Sequence, residues 1–360
     1  MNANRLMIVI IITLIVSASL AVFINRGENN INTAKKESYN YLVSLNGKIG
    51  IYNIKKQTFE SLYDDIYVSQ IIGITNNKEI VVINALPEKG VEGGSFQHPQ
   101  KIYIVDLNNK SSRCLAKNFS KAYFSPDRGY VAYITFPNGG LEYINLRTIT
   151  TTHIAESVGS FGLDNIWSPD STKLAIANAD SGRISIYNML TKQYDQCLSL
   201  NDRNAIYLGW FDKSHLLIKV PEANRQYIAF YNINSKKIKY LFNKESDIYN
   251  AVCTKNSIIG FKINPQDPRK WNIVISPKTI PDSVSNLLSI PSGLDQASKG
   301  ERPFMFVSQY TPISDSKMFY RLLESETYQP LYCGIIDVDA HTTIEIDKAI
   351  TSLFELDSRQ

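Results

Sequence analysis

The feature that most constrains this chain is a repeat with a spacing of 43 residues. The segments FSPD, WSPD, WFDKS and CTKNS begin at residues 124, 167, 210 and 253, each 43 residues after the one before. A short apolar strand follows each segment: YVAYITF from 130, KLAIANA from 173, HLLIKV from 215 and SIIGFKI from 257. Such a repeat predicts one supersecondary unit copied along the chain, because each unit alone is too thin to bury its apolar faces.

Each unit also contains a strand that ends in an apolar pair followed by Asn, Asp or Ser. Seven such endings occur: IYN at 51–53, IVD at 104–106, YIN at 143–145, IYN at 186–188, FYN at 230–232, VIS at 274–276 and IID at 335–337. A polar turn and another strand follow each, which predicts a four-stranded antiparallel sheet. Because such sheets bury both faces by stacking around an axis, the sequence predicts an all-β fold. We expect a seven-bladed β-propeller, with six or eight blades as alternatives.

The Ser-Pro-Asp turns are predicted to join the innermost strand of a blade to the next strand. Pro presets φ for the turn, and Asp accepts hydrogen bonds from exposed backbone amides. Asp127, Asp170 and Asp212 recur at this point, so we interpret them as turn caps rather than calcium ligands or acid–base groups. The preceding Phe or Trp is predicted to fill the space between blades.

The segments FSPDRGYVAYI and WSPDSTKLAIA resemble the WD40-like (PD40) propeller repeat of the TolB type, which also occurs in the propellers of dipeptidyl and prolyl oligopeptidases. The resemblance spans residues 40–350, and it implies a propeller that docks a partner protein. The peptidases need a separate hydrolase domain with a G-x-S-x-G elbow. The nearest match here, VGSFG at 158–162, begins with Val and has no strand-to-helix context. We therefore assign no catalytic residue and predict a noncatalytic protein.

The two ends of the predicted propeller, residues 40–358, complement each other. The first unit, Tyr41 to Leu62, has only three predicted strands. SLFELD, at residues 352–357, is predicted to supply the missing innermost strand of that unit and to close the ring without an open edge.

The first 39 residues predict the compartment. Residues 6–24 are an uncharged run that would span roughly 28 Å as a helix, close to the hydrocarbon thickness of a bilayer. With residues 1–5 as a cytoplasmic leader and 25–39 as a polar linker, we predict a transmembrane signal anchor with the propeller outside a bacterial cell membrane. The alternative is a cleaved signal peptide, with Ser19-Leu20-Ala21 as the small-x-small site, and a secreted protein.

Charge and cysteine content limit the classes of partner and cofactor that the sequence predicts. The 38 Lys and Arg against 34 Asp and Glu argue against nucleic-acid binding. Residues 40–360 have 34 basic and 32 acidic side chains, so composition gives this part of the chain no reason to lie against an anionic membrane. Cys114, Cys197, Cys253 and Cys333 form no CxxC pair, and the four histidines form no HxH or HxxxH pattern. We predict no metal and no cofactor, and we interpret the cysteines as buried thiols.

The longest departures from the repeat fall between second and third strands and between blades, and these connections share one face of a propeller. Residues 85–100, 221–226, 264–271, 324–330 and 281–303 are the predicted loops. Because binding residues gather on loops held by a rigid frame, this face is the predicted contact surface. The alternative is that long loops are merely tolerated, since they add little closure entropy. The candidate binding residues are Glu92, Phe96, His98, Glu222, Arg225, Asp267, Arg269, Trp271 and Tyr328.

The sequence thus predicts a membrane-anchored, extracytoplasmic propeller that binds a protein or another cell-envelope ligand without catalysis. The alternative is a propeller enzyme that acts on glycans or peptides at the central channel. Two or more carboxylates with raised pKa values at the mouth of the channel would favour the enzyme, and the sequence offers no such pair. A structural component of an envelope complex is a third possibility.

Overall fold

The computed structural model describes residues 39–85, 100–158, 166–178, 183–199, 205–222, 225–242, 248–254, 256–264, 266, 270–279, 285–291, 305–313, 316–324, 330–340 and 342–355. Asn40–Glu355 form one compact unit. Within this described part of the chain, no helix has the length and apolar character that a membrane crossing needs. The predicted leader and anchor, and the linker up to residue 38, lie outside the described residues.

The described residues form 27 strands. In chain order they are β1 (Asn40–Leu45), β2 (Lys48–Asn53), β3 (Thr58–Tyr63), β4 (Gln70–Ile74), β5 (Ile80–Asn84), β6 (Lys101–Asp106), β7 (Ser111–Lys117), β8 (Phe119–Phe124), β9 (Tyr130–Thr135), β10 (Leu141–Asn145), β11 (Thr150–Ala155), β12 (Lys173–Asn178), β13 (Arg183–Asn188), β14 (Gln193–Ser199), β15 (Ile206–Trp210), β16 (His215–Glu222), β17 (Arg225–Asn232), β18 (Ile238–Tyr240), β19 (Ile248–Cys253), β20 (Ser257–Ile263), β21 (Lys270–Pro277), β22 (Ser285–Pro291), β23 (Met305–Pro312), β24 (Lys317–Glu324), β25 (Pro330–Asp337), β26 (Thr342–Glu345) and β27 (Ile350–Glu355).

These strands form seven antiparallel sheets, which are the blades of a β-propeller. From the innermost strand outward, blade 1 is β27-β1-β2-β3, blade 2 is β4 to β7, and blade 3 is β8 to β11. Blades 5, 6 and 7 are β15 to β18, β19 to β22 and β23 to β26. Blade 4 contains β12 to β14, and an isolated bridge between Trp167 and Leu174 takes the place of its innermost strand. The all-β class and the count of seven blades are confirmed.

The ring closes through strands from both ends of the chain, as predicted. Strand β27 pairs antiparallel with β1, from Tyr41 opposite Glu355 to Leu45 opposite Ile350. The buried Ser352 hydroxyl oxygen also accepts a hydrogen bond of 2.8 Å from the backbone N–H of Ile71, in the next blade. The closing strand begins two residues before the predicted segment 352–357. Because β27 covers the inner edge of β1, blade 1 has no exposed inner edge.

The core is a series of apolar layers between neighbouring blades, which confirms the predicted role of the aromatic residue before each turn. Phe124 packs on β4 of blade 2, where a Cβ atom added to Gly73 would lie 2.1 Å from the Phe124 ring. Trp167 Nε1 donates to the Tyr123 carbonyl of the preceding blade at 3.1 Å. Trp210 Nε1 makes the equivalent bond of 2.9 Å to Ile166, 44 residues earlier. Each ring therefore fills an interface, and the two indoles also satisfy their N–H groups there.

The Ser-Pro-Asp aspartates cap turns, as predicted. Asp127 Oδ1 accepts hydrogen bonds from the Ser125 hydroxyl at 2.6 Å and from Gly129 N–H at 3.0 Å. Asp170 Oδ1 makes the equivalent bonds to Ser168 and Thr172 in the next blade. These contacts explain the repetition, because a local bond of this kind is required once in each turn.

A second capped turn follows the third strand of most blades. The terminal Asn or Asp of that strand accepts a backbone hydrogen bond from the residue two or three positions later, as seen at Asn53, Asp106, Asn145, Asn188, Asn232 and Asp337. In five of these turns the residue four positions after the cap has positive φ: Gln57, Lys110, Ile149, Lys192 and Lys236. Six of the seven sequence endings therefore mark the outer turns of the blades, whereas the strand that contains VIS at 274–276 continues to Pro277.

Candidate functional site

Connections leave the propeller on two faces. The short-turn face contains the turns after the innermost and third strands, including residues 54–57, 75–79, 107–110, 125–129, 146–149, 168–172, 189–192, 211–214, 233–237 and 338–341. The long-loop face contains the connections between second and third strands and between blades, including residues 46–47, 64–69, 118 and 136–140. The strand bounds bear out the predicted difference in connection length only in part, because residues 46–47 and 118 on the long-loop face are shorter connections than the turns of the short-turn face.

The fifth blade contributes two of the predicted binding residues to the long-loop face. The sequence predicted a loop over 221–226, but this prediction was wrong. Strands β16 and β17 continue to Glu222 and from Arg225, and these two residues are opposite each other in the strand register. Eight residues of β16 pair with eight residues of β17, from His215 opposite Asn232 to Glu222 opposite Arg225. The pairing includes these polar residues because backbone hydrogen bonds tolerate polar side chains at the exposed end of a sheet.

Glu222 is held by a tyrosine at this end of the fifth blade. The Tyr240 hydroxyl, on β18, donates a short hydrogen bond to Glu222 Oε1. The rings of Tyr227 and Tyr240 meet edge to face, with centroids 5.8 Å apart. All three side chains are partly buried, whereas Arg225 is exposed. The arrangement fixes a carboxylate beside two rings and leaves a guanidinium at the surface.

Lys219 lies two residues before Pro221, on the opposite side of the same strand from Glu222. The side chain is partly buried, and burial lowers the pKa of its ammonium group. Desolvation disfavours the charged form of a lysine, which is the cause of this shift. The long-loop end of the fifth blade therefore combines anionic, cationic and phenolic groups. We call Glu222, Arg225, Tyr227 and Tyr240, which share one side of this sheet, the fifth-blade cluster.

A second polar group lies at the same end of blade 3. The Tyr133 hydroxyl donates a short hydrogen bond to Glu142 Oε2, and His153 Nδ1 lies 3.8 Å from Glu142 Oε1. His153 Nε2 lies 3.4 Å from Glu156 Oε1. Burial, with a further contribution from Glu142, raises the pKa of Tyr133.

The sequence did not predict that Tyr133, Glu142 and His153 form a row across three strands. Tyr133 is opposite Glu142, and Glu142 is opposite His153, in the register of β9, β10 and β11. The residues are nine and eleven positions apart, so no short motif links them. The available signal was the strand alternation, which places cross-strand partners together once the register is known.

The other predicted site residues lie either on a strand or outside the described residues. Trp271 was predicted in a loop over 264–271, but it lies on β21, paired with Ile263 and Ile290, so that placement was wrong. Residues 281–303 were predicted to be one excursion, but strand β22 occupies Ser285–Pro291 within them. Glu92, Phe96, His98, Asp267, Arg269 and Tyr328 lie outside the described residues, and their assignment stays a prediction.

The described ranges contain no group of three or more His, Cys, Asp or Glu side chains placed to hold a metal ion. Hydrogen bonds from Asn109 lower the pKa of Asp106. Burial alone would raise the pKa of Asp170, but the bonds from Ser168 and Thr172 outweigh it and lower the value. Both carboxylates are thus ionised turn caps at neutral pH.

The cysteines were predicted to be buried thiols. Cys333 is buried, whereas Cys114 and Cys253 are partly buried, and all three are free thiols. Burial raises the pKa of Cys253 to about 11 and that of Cys333 to about 12. The side chain of Cys197 is not among those that the structure describes. A protonated, desolvated thiol is a poor nucleophile.

No protein-family model and no curated protein sequence matches this chain. TolB from Acinetobacter baumannii is similar with a TM-score of 0.50 and 14% identity, over 88% of this chain and 80% of that one. An oligogalacturonate lyase in complex with manganese is similar with a TM-score of 0.53 and 13% identity, over 84% of this chain and 82% of the lyase. An acylaminoacyl peptidase from Pyrococcus horikoshii is similar with a TM-score of 0.51 and 15% identity, over 78% of this chain and 46% of the peptidase.

These similarities show the fold alone, because the identities are low. The chain is a seven-bladed β-propeller, and the resemblance of its repeats to TolB-type propellers is confirmed at the level of fold. Its structural neighbours include TolB, peptidases and a lyase. Fold similarity therefore does not assign an activity to this chain.

Proposed function

We propose that this protein is a membrane-anchored, extracytoplasmic β-propeller that acts as a noncatalytic binding module. Its long-loop face captures a protein or another cell-envelope ligand. The observation that supports this proposal best is the fifth-blade cluster, where an exposed guanidinium, a carboxylate held by a tyrosine and two aromatic rings occupy one end of a rigid sheet. The paired backbone, and the hydroxyl that already holds the Glu222 carboxylate, reduce the conformational entropy lost when a partner binds.

The chemistry of this cluster fits a protein partner. Tyr and Arg are enriched among residues that dominate protein–protein binding, because they combine large contact area with directional hydrogen bonds. The Tyr240 hydroxyl fixes the Glu222 carboxylate, so this acceptor is oriented before a partner arrives. A complementary partner would present a basic donor to Glu222 and an acidic group to Arg225.

Anchorage is the second element of the proposal. Residues 6–24 cross the membrane once, and residues 25–39 tether the propeller outside the cytoplasm. The support is the length of the uncharged run, which matches a bilayer. Cleavage after the small-x-small site would instead release a secreted propeller with the same binding face.

The binding role is tested with the full chain in native membranes. The tagged chain and a double variant, E222Q with R225A, are cross-linked, solubilised and captured, and co-captured proteins are quantified by mass spectrometry. Two side-chain changes that each cost about 1–2 kcal/mol of binding free energy should weaken the affinity for a specific partner by at least roughly 30-fold.

The matched control changes the same residue types elsewhere. E60Q with R113A alters an exposed Glu and an exposed Arg on the outermost strands β3 and β7, away from both faces. Capture by this control should stay within about twofold of the unchanged chain, in the range of neutral surface substitutions. Equal capture by all three proteins would reject the fifth-blade cluster as a binding site.

The alternative function is an enzyme that acts on glycans or peptides at the central channel. Structural neighbours that are a lyase and peptidases keep this alternative open. Such an enzyme needs a carboxylate with a raised pKa, yet the shifted carboxylates among the described residues, Asp106 and Asp170, are shifted downward. Turnover of an oligogalacturonate or an acylated peptide by the purified full chain would overturn the noncatalytic proposal.

A further inference from the structure

We propose that the short-turn face is a membrane-docking surface that lies against anionic lipid headgroups, so that the long-loop face points away from the bilayer. This inference rests on the proposed anchorage and adds an orientation to it. Three independent features of the described residues lead to it: the distribution of charge, an exposed apolar residue on the same face, and the position at which the chain enters the propeller.

Charge is not distributed evenly over the propeller, although its total is nearly neutral. The turns of the short-turn face present ten exposed basic residues: Lys55, Lys56, Lys78, Lys110, Arg128, Arg147, Lys192, Lys213, Lys236 and Lys237. Exposed acidic residues in the same turns are Asp127, Asp170 and Asp339. The described exposed charges of the long-loop face are mixed, with Asp64, Asp65, Glu156 and Asp347 beside Lys48, Lys117, Arg183, Arg225 and Lys348.

Several carboxylates of the short-turn face are engaged within their own turns. Asp127 and Asp170 accept hydrogen bonds from their neighbouring serines. Asp212 accepts hydrogen bonds from the backbone N–H groups of Ser214 and His215. The carboxylates are therefore held close to the backbone, whereas lysine and arginine side chains are long enough to extend from the turns. The outermost layer of this face is positive, which fits an anionic surface.

An apolar residue projects from the same face. Leu190 is the most exposed large apolar residue among those described, with 81% of its surface accessible. Its backbone N–H donates to Asn188 Oδ1 at 2.9 Å, so a capped turn holds its position. Lys192 follows two residues later. Leu190 and Lys192 thus place an exposed apolar side chain and a basic side chain in one turn, a combination that favours binding at the headgroup region of an anionic membrane.

The chain enters and leaves the propeller at the short-turn face. Asn40, the first residue of β1, is opposite Asn53, which begins the turn of residues 54–57. Glu355, the last residue of β27, is opposite Tyr41. The proposed anchor at residues 6–24 precedes this entry point by 15 residues, 25–39. An anchor that joins the propeller at this face supports the proposal that this face, rather than the long-loop face, meets the membrane.

The strength of docking follows from the charges. A Lys or Arg close to an anionic surface shifts the ratio of docked to undocked propeller by about fivefold. Reversal of three such charges should lower that ratio by at least roughly 10²-fold. Because the Debye length at physiological salt is about 8 Å, only residues at the tips of the turns contribute fully.

The orientation is tested by fluorescence quenching in the full chain reconstituted into vesicles. L190W places an indole on the short-turn face, and F136W places one on the long-loop face, where Phe136 is 44% exposed. Vesicles contain phosphatidylcholine brominated near the headgroup, either alone or with about a third phosphatidylglycerol. Quenching is measured relative to the unsubstituted chain, whose Trp167 and Trp210 are buried between blades.

The added emission of L190W should fall about twofold in the anionic vesicles and much less in neutral ones, whereas that of F136W should change in neither. K56E/K110E/K192E added to L190W should abolish the quenching. The matched control, K117E/R183E/K348E on the long-loop face, should preserve it. Equal quenching of L190W and F136W, or quenching that ignores lipid charge, would overturn the docking proposal.

Flotation separates this proposal from the one on which it rests. The full chain should float with neutral vesicles through residues 6–24, regardless of its turn charges. Failure to float with neutral vesicles would contradict the proposed anchorage. Flotation without L190W quenching in anionic vesicles would contradict docking alone.

Discussion

Replacement of Leu353 by Ala tests ring closure at one side chain. Leu353 lies on β27 with none of its surface exposed, and it packs in the apolar layer between blades 7 and 1 with Val43, Phe319 and Ile335. The substitution removes buried carbons and leaves a cavity that a sheet interface fills only in part. Leucine-to-alanine changes of this kind cost 2–5 kcal/mol, and we expect about 3 kcal/mol here.

The expected change in melting temperature follows from the size of the unit. For Asn40–Glu355, an unfolding entropy of about 2 cal/mol/K per residue converts 3 kcal/mol into a decrease of about 5 °C. Equilibrium urea unfolding, followed by circular dichroism, gives the free energy, and calorimetry gives the temperature. A deletion of residues 351–360 should lower both values further, because it also removes the Ser352 acceptor of the Ile71 N–H.

The matched control is Leu190 replaced by Ala, because Leu190 is 81% exposed. This change should alter the unfolding free energy by less than about 0.5 kcal/mol. Equal and small effects of the two substitutions, or a deletion mutant that melts at the original temperature, would refute the closure of the ring by β27.

Three further predictions concern the turns, the blade interfaces and the thiols. I149N should raise the unfolding free energy by about 1 kcal/mol in urea titrations, because a β-branched residue is strained at φ 55°; an unchanged midpoint would contradict the strain. W210F should cost about 2–3 kcal/mol in the same assay, because it leaves the Ile166 carbonyl without its indole donor; a cost below about 0.5 kcal/mol would show that the bond is unimportant. Because burial raises the pKa of Cys253 to about 11 and of Cys333 to about 12, above the ordinary 9.0, folding favours the protonated thiols. Their contribution to stability is complete below pH 9 and declines as the pH rises towards 11 and 12; rapid alkylation of either thiol in the native protein at pH 7.5, mapped by mass spectrometry, would contradict this.

The architecture was predictable because its determinants recur in every blade. Trp167 and Trp210 are one repeat apart in sequence and lie in successive blade interfaces. Each indole donates a hydrogen bond to the blade before it. Asp127 and Asp170 were assigned to turns because they recur, and their hydrogen bonds confirm this. The closing strand was predictable because an incomplete first unit needs a partner for its inner edge.

The candidate site was less predictable because it depends on departures from the repeat. Strand ends on the long-loop face are set by backbone pairing rather than by apolar pattern, so Glu222 and Trp271 were placed in loops although both lie on strands. The row of Tyr133, Glu142 and His153 required the strand register.

The positive short-turn face was hidden by the nearly neutral composition. Its signal was nonetheless present, because a basic residue follows most third-strand endings within two to five positions, as at Lys56, Lys110, Arg147 and Lys192. Charge has to be counted by position in the repeat, not along the whole chain, for this face to become apparent.

We propose that the two faces of one ring have different partners: lipid on the short-turn side and a protein or envelope ligand on the long-loop side. The most direct test places a photo-activatable cross-linking amino acid at Lys213 or at Arg225 of the full chain in native membranes. Mass spectrometry then identifies what each position captures. We predict mainly lipid adducts at residue 213 and a discrete protein or glycan adduct at residue 225. The same adducts at both positions, or the reverse assignment, would contradict the account.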